Sequence, residues 1–201
     1  MDKRQVVVIH GGETFNTYED YLTWLNAKEL DLEKMRGKRW KSTLQDELGE
    51  GYEVLMPSMP NAMNAKYLEW RIWFEKFIPY MEDEVILLGH SLGGIFLTKY
   101  LSENVLPRKI RGIFLVAPPF DTRDSDFSLA DFIQPGSADR LWSQCGNVAF
   151  YFSSDDEVVP ISNMEAYKAM LPFARYSIYG DRGHFNQEKF PELVEDIRSL
   201  G

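Results

Sequence analysis

The stretch Val85-Ile86-Leu87-Leu88-Gly89-His90-Ser91-Leu92-Gly93-Gly94-Ile95-Phe96-Leu97-Thr98-Lys99-Tyr100-Leu101 decides how this chain is read. Its first four residues are apolar without interruption, as a strand buried on both faces requires. Its last seven suit a helix. Between them stands G-x-S-x-G, which by chance occurs in about one in fifteen chains of this length. The flanks therefore carry the argument. A strand before and a helix after put Ser91 on a sharp, strained turn with its hydroxyl projecting from the sheet edge. The helix that follows offers unpaired backbone N–H groups and a positive dipole end, both suited to an oxyanion.

Working outward, short apolar runs alternate with segments of helical period. Strands are expected at Gln5–His10, Tyr52–Met56, Glu84–Leu88, Ile110–Ala117, Asn147–Phe152 and Ala174–Tyr179. Helices are expected at about 65–81, 95–104, 161–170 and 187–200, with a crossover helix around 38–48. In the first of these, Leu68, Ile72, Glu75 and the group Trp73, Phe74, Phe77 and Ile78 mark the helical stripe, and its aromatics are expected to pack on the sheet. The alternation predicts one α/β domain over residues 1–201, a mostly parallel six-stranded sheet with helices on both faces. Two connections exceed what a crossover needs. One leaves room for a helical cap insertion at about 15–37, with a helical piece over about 18–34. The other runs from Ala117 to Asn147. Long insertions of this kind often form lids or binding loops.

Bulk properties narrow the function classes. The 201 residues are 44% hydrophobic and 26% charged, with a formal net charge of −9. That composition fits a packed domain and excludes disorder. The negative charge argues against nucleic acid and anionic membranes as partners. The locally basic run Lys34, Arg36, Lys38, Arg39 and Lys41 reads as a solvated helix face. Cys145 is the only cysteine. It precedes a buried strand and reads as a packed thiol, in keeping with a reducing compartment. The apolar runs are too short for a signal peptide or a membrane span, so a cytoplasmic protein is expected.

A serine hydroxyl needs a base to become nucleophilic. The candidates are His10, His90 and His184. His90 lies inside the turn and should point elsewhere, and His10 shapes the turn before Gly11-Gly12. His184 follows the last strand, and in a parallel sheet such loops gather at one edge. An orienting carboxylate is expected after the fifth strand, in Ser154-Asp155-Asp156-Glu157-Val158-Val159-Pro160, and residue chemistry leaves Asp155 and Asp156 open. Asp121 is a weaker alternative. The backbone N–H groups of Leu92 and Gly12 are the expected oxyanion donors. No metal or organic cofactor is called for. Phe15, Tyr18, Tyr21, Trp24, Phe120 and Phe127 either line an apolar acyl pocket or belong to the core.

His10-Gly11-Gly12, Gly89-His90-Ser91-Leu92-Gly93, Asp156-Glu157-Val158-Val159-Pro160 and Gly183-His184-Phe185 follow the order found in α/β-hydrolases. The short chain resembles the small serine hydrolases related to retinoblastoma-binding protein and its bacterial relatives. The resemblance implies a reduced α/β-hydrolase fold. It also implies Asp156 as the acid, because these proteins keep an acid two residues before an apolar residue and Pro. The expected activity is hydrolysis of a small-molecule carboxylic ester or thioester through an acyl-enzyme on Ser91, with Asp156 and His184 completing the triad. An amidase, peptidase or acyltransferase would use the same triad, and a non-catalytic binding protein could share the fold.

Overall fold

Six parallel strands form a single sheet whose two faces are covered by different helices. The computed structural model describes residues 3–121 and 128–201. In chain order the elements are β1 (Arg4–Ile9), α1 (Tyr18–Ala27), α2 (Leu32–Arg36), α3 (Trp40–Leu48), β2 (Tyr52–Leu55) and α4 (Tyr67–Phe77), which runs into a 3-10 turn (Ile78–Tyr80). Then come β3 (Val85–His90), α5 (Leu92–Glu103), β4 (Ile110–Val116), α6 (Asp139–Gln144), β5 (Val148–Ser153), α7 (Ser162–Met170), β6 (Arg175–Tyr179) and α8 (Pro191–Ser199). The strand order is β2-β1-β3-β4-β5-β6, and every pairing is parallel.

The alternation of side chains along each strand sorts the core into two layers. Val7, Ile9, Leu87, Leu115 and Phe150 face one side, where Trp70 and Phe74 of α4, Phe96 of α5, Leu141 of α6 and Tyr167 of α7 pack. Val6, Val8, Ile86, Leu88, Phe114 and Tyr151 face the other, against Trp40 and Leu44 of α3 and Leu193 and Ile197 of α8. Strands buried on both faces must be apolar at every position, which is why the sequence shows runs rather than alternation.

The strand order reverses at β1. The chain leaves β1 toward β2 on one side and returns to β3 on the other. The loops after β1 and β3 therefore diverge and open a crevice at the carboxyl edge of the sheet, the usual ligand position in open α/β sheets. Gly11-Gly12 and Ser91 stand at that crevice.

Several expected elements differ in detail. α5 starts at Leu92 rather than Ile95, because Gly93 and Gly94 are helical here. α8 starts at Pro191 rather than Gln187; proline's fixed φ and missing N–H suit a first helical turn. The expected 18–34 piece is two helices, and α1 buries none of its residues. α6 was not expected: at six residues it is too short to show a period. In α4 the buried stripe is Tyr67, Trp70, Phe74 and, in the following turn, Ile78, whereas Leu68, Ile72 and Trp73 are about half exposed. Aromatics crowded on one helix do not reveal which arc meets the sheet until the helix is docked.

Candidate active site

Ser91 joins β3 to α5 at φ 54° and ψ −123°. A non-glycine residue at positive φ is strained and must be held by its surroundings. Its N–H donates to Val116 O at 2.8 Å, and its C=O accepts from Gly94 N–H at 2.8 Å. The turn also needs β1 very near: a Cβ on Gly93 would run into the carbonyl oxygen of Ile9. Gly93 is thus required by close approach of backbone.

Leu92 is the first residue of α5, so its N–H is one of the helix donors with no carbonyl a turn earlier. Across the crevice, a Cβ on Gly12 would stand 3.2 Å from Leu92 Cδ2 and 2.7 Å from Ala62 O. The next N–H, that of Glu13, is engaged by Ala62 O at 2.8 Å. Gly12, Ser91 and Leu92 line one cavity of about 70 Å³ together with Thr14, Pro119, Leu129, Val158 and Val159.

The structure brings Asp156 and His184 into direct contact. His184 Nδ1 lies 2.8 Å from Asp156 Oδ2, and the carboxylate side chain is 1% exposed. The other oxygen, Oδ1, accepts from the N–H groups of Val158 and Val159 at 2.8 and 2.9 Å. Three donors therefore fix this carboxylate in place. Asp155 is used differently. It accepts from Ser153 Oγ at 2.5 Å and from Gly183 N–H at 2.9 Å, so it ties the β5 loop to the His184 loop. The Ser153 hydroxyl bond, with smaller help from backbone N–H groups, holds its carboxyl below the usual range. Asp121 stands elsewhere, with its N–H on Asn163 Oδ1 at 3.3 Å. Among the described residues no hydrogen bond joins the Ser91 hydroxyl to His184; such bonds often tighten only when substrate is bound.

The other two histidines have structural partners. His10 Nδ1 lies 2.6 Å from Gly11 O, and its Nε2 accepts from Met59 N–H at 2.9 Å. These bonds fix the Nδ1–H tautomer and the turn leading to Gly12. His90 is buried. Its Nε2 is 3.0 Å from the carbonyl oxygen of His184, and its Nδ1 is 2.9 Å from Lys41 Nζ. The carbonyl can only accept, so Nε2 carries the proton and Nδ1 accepts from Lys41. Burial first, then the Lys41 and His184 charges, hold His90 well below its ordinary pKa. Burial, assisted by Arg39, brings Lys41 down to about 8.

Lys41 is the functional-site neighbour that sequence reasoning missed. It closes a basic run that reads as a solvated face, yet it is only partly exposed and its ammonium reaches the buried His90. Its place beside Trp40, whose indole N–H donates to Phe185 O at 2.8 Å, is the signal that α3 packs on the His184 loop. The side chain of Lys34 in the same run and the residue Phe127 lie outside the described residues. Cys145 is buried, and burial raises its thiol pKa, so the packed-thiol reading stands.

The aromatic candidates also resolve. Phe120 packs on Tyr167 of the core, with ring centroids 4.9 Å apart. Phe15, Tyr21 and Trp24 are half-buried and in contact, with Tyr21 stacked on Trp24 and Phe15 tilted against both, and Tyr18 is 62% exposed. These four are not core residues, nor do they line the cavity at Ser91, where Leu92, Pro119, Leu129, Val158 and Val159 alternate with the polar Glu13, Thr14 and Ser128.

Known proteins share this arrangement of strands. Serine hydrolase RBBP9 of Rattus norvegicus is 24% identical over 152 residues, covering 75% of this chain and 78% of that protein. YdeN of Bacillus subtilis is 23% identical over 188 residues, covering 92% and 88%. The crystal structure of the B. subtilis ydeN product superposes with a TM-score of 0.70 over 98% of both chains, at 21% identity. The thioesterase domain from the curacin biosynthetic pathway has the same fold, with a TM-score of 0.55 over 99% of this chain and 90% of that one, at 15% identity. The serine hydrolase family model matches residues 32–196, from α2 into α8, and the chain belongs to that family.

Proposed function

We propose that this serine hydrolase cleaves carboxylic esters or thioesters through an acyl-enzyme on Ser91. The observation that carries the reading is the 2.8 Å bond between His184 Nδ1 and a buried Asp156, in loops at the same sheet edge as the strained Ser91 turn. Asp156 holds the imidazole with Nδ1 protonated, which leaves Nε2 to take the Ser91 proton. The Ser91 oxygen attacks the carbonyl carbon, and the N–H groups of Gly12 and Leu92 stabilise the oxyanion. His184 returns the proton to the leaving oxygen or sulfur, and water, activated by the same base, releases the acid. The cavity beside Ser91, only about 70 Å³ in volume, favours a small acyl group. Segment 15–37, which contains α1 and α2, acts as a helical cap over one flank of the crevice.

A fluorophosphonate probe tests this directly. Wild-type protein is expected to be labelled once, and Ser91→Ala is expected to lose the label. Labelling that survives Ser91→Ala, or folded wild type that resists labelling, overturns the reading.

A further inference from the structure

His184 is fixed by more than its carboxylate. The N–H groups before it are held from β5: Arg182 N–H donates to Ser153 Oγ at 3.1 Å, and Gly183 N–H to Asp155 Oδ1 at 2.9 Å. The carbonyls from His184 onward are held by other elements. His90 Nε2 is 3.0 Å from the carbonyl oxygen of His184 itself. Trp40 Nε1–H donates to that of Phe185 at 2.8 Å, and Trp40 N–H to that of Gln187 at 2.9 Å. The loop needs such holding, because Phe185 stands at φ 52°, a strained value for a non-glycine residue.

Of these carbonyl donors, His90 alone can change character. An indole or backbone N–H always donates. An imidazole nitrogen turns from donor to acceptor when the proton moves across the ring. A lone pair at Nε2 would face the His184 oxygen and repel it. Lys41 prevents this: an ammonium has three donors and no lone pair, so Nδ1 must accept and the proton stays on Nε2. No carboxylate pairs with Lys41 among the described residues, and its ammonium lies 5.0 Å from a Trp40 ring centroid. An ion pair therefore does not account for its inward reach. His90 is also the residue before Ser91 and the last of β3, where it pairs with Val116 of β4. Its backbone fixes the nucleophile while its ring fixes the backbone of the base.

We propose that His90 and Lys41 are positioning residues for catalysis: the His90 ring sets where His184 stands relative to Ser91, and Lys41 keeps that ring in the one tautomer able to do so. The proposal rests on the reading of Ser91 as nucleophile and His184 as base, and neither positioning residue needs to touch substrate. The contact has a second consequence. The ring centroids of His90 and His184 are 5.0 Å apart. A proton gained by His90 would oppose the positive charge that His184 acquires when it takes the Ser91 proton. The charged groups facing His90 are Lys41 and Arg39 on the α3 side and His184 on the β6 side. Burial first, and Lys41 after it, keep the ring neutral.

The test uses the full chain and 4-nitrophenyl acetate. His90→Leu, which neither donates nor accepts, is expected to lower kcat about 10²-fold with KM nearly unchanged, the scale for reacting groups displaced by about 1 Å. His90→Gln, whose amide can donate to His184 O and accept from Lys41, is expected to recover most of that loss. Lys41→Met is expected to keep kcat within a few-fold at pH 7.5 and to move the acid fall of kcat/KM to higher pH. In the His90→Gln protein the same substitution is expected to move it much less. Lys38→Met removes the same charge at an exposed position of the basic run and is expected to change neither quantity. A folded His90→Leu protein that keeps its kcat, or an acid limb that Lys41→Met moves equally with His90 and with Gln at position 90, overturns the proposal. The proton NMR signal of His184 Nδ1–H separates this from the hydrolase reading. If wild type cleaves no ester and takes no fluorophosphonate, that reading fails. The positioning role is then upheld by a signal displaced in His90→Leu and restored in His90→Gln, and overturned by one that is the same in all three proteins. Circular dichroism reports folding, and should His90→Leu not fold, Lys41→Met with and without His90→Gln decides.

Discussion

Lys41 Nζ lies 2.9 Å from Nδ1 of the buried His90, and the opposite nitrogen of that ring is 3.0 Å from the carbonyl of His184. The residue before the candidate nucleophile therefore grips the loop that carries the candidate base, and a lysine from the crossover helix sets which ring nitrogen holds the proton. A neutral His90 satisfies both partners. A doubly protonated one would face Lys41 with two donors and no acceptor.

Removing Lys41 should change His90 before it changes anything else. Lys41→Met deletes a cation that lowers the His90 pKa, so the ring should take up a proton at higher pH than in wild type. Nitrogen-15 NMR of histidine-labelled protein can follow this. Wild type should show the Nε2–H tautomer across the neutral range. Unchanged titration in Lys41→Met would count against the contact.

Stability should carry the same signature. The unfolded His90 titrates near 6.5, and the folded one well below that. Between those values the unfolded chain binds more protons. The stabilisation is therefore complete above pH 6.5 and is lost as pH falls below it. Urea unfolding of wild type and His90→Gln at pH 7.5 and pH 5 should show a steeper loss in wild type. Parallel pH slopes would refute this assignment.

The two aspartates after β5 should separate cleanly. Asp156→Asn removes the acceptor for His184 Nδ1–H and should lower kcat by about 10³–10⁴-fold with the fold retained. Asp155→Asn loosens the tie to Ser153 and Gly183 and should lower stability slightly, with a much smaller loss of kcat than Asp156→Asn. Turnover of an ester substrate, with urea unfolding of both variants, checks the pair.

Gly93→Ala should be more damaging than an alanine at Gly49, because it adds a backbone collision to the loss of glycine. The Gly93 methyl would collide with Ile9 backbone, and shifting β1 away from α5 opens the core, at a cost of about 3 kcal/mol or more. Gly49 ends α3 at φ 85° and ψ −173°, a conformation essentially reserved for glycine, so alanine there should cost about 1–3 kcal/mol of backbone strain although the space around it is open. Denaturant midpoints of the two variants give the comparison.

Local order was legible wherever physical demand is local. Val6–Ile9, Val85–Leu88 and Val148–Phe152 had to be apolar throughout because helices cover both faces of their strands, and so the sheet could be read from runs. The strained turn at Ser91 is likewise written in its own neighbours, with Gly93 absent of side chain where β1 crosses. Helix ends were less legible, since Gly93-Gly94 is a poor helix start by propensity and becomes one only because α5 must lie against β1.

Sequence by itself determined the parallel α/β architecture and the strand–turn–helix unit that presents Ser91, because burial on two faces and a sharp turn restrict residue type at consecutive positions. Residue chemistry left Asp155 and Asp156 open and the family resemblance pointed to Asp156, but the contact itself is tertiary; tertiary structure alone decided that Lys41 turns inward to His90, and that Phe15 and Trp24 line a cleft instead of the core. Each of these depends on which loop or helix stands opposite, across 28 residues for Asp156 and His184 and 49 for Lys41 and His90. A carboxylate, an ammonium or an indole has the same chemistry in either place. Only the packing of distant segments fixes its partner.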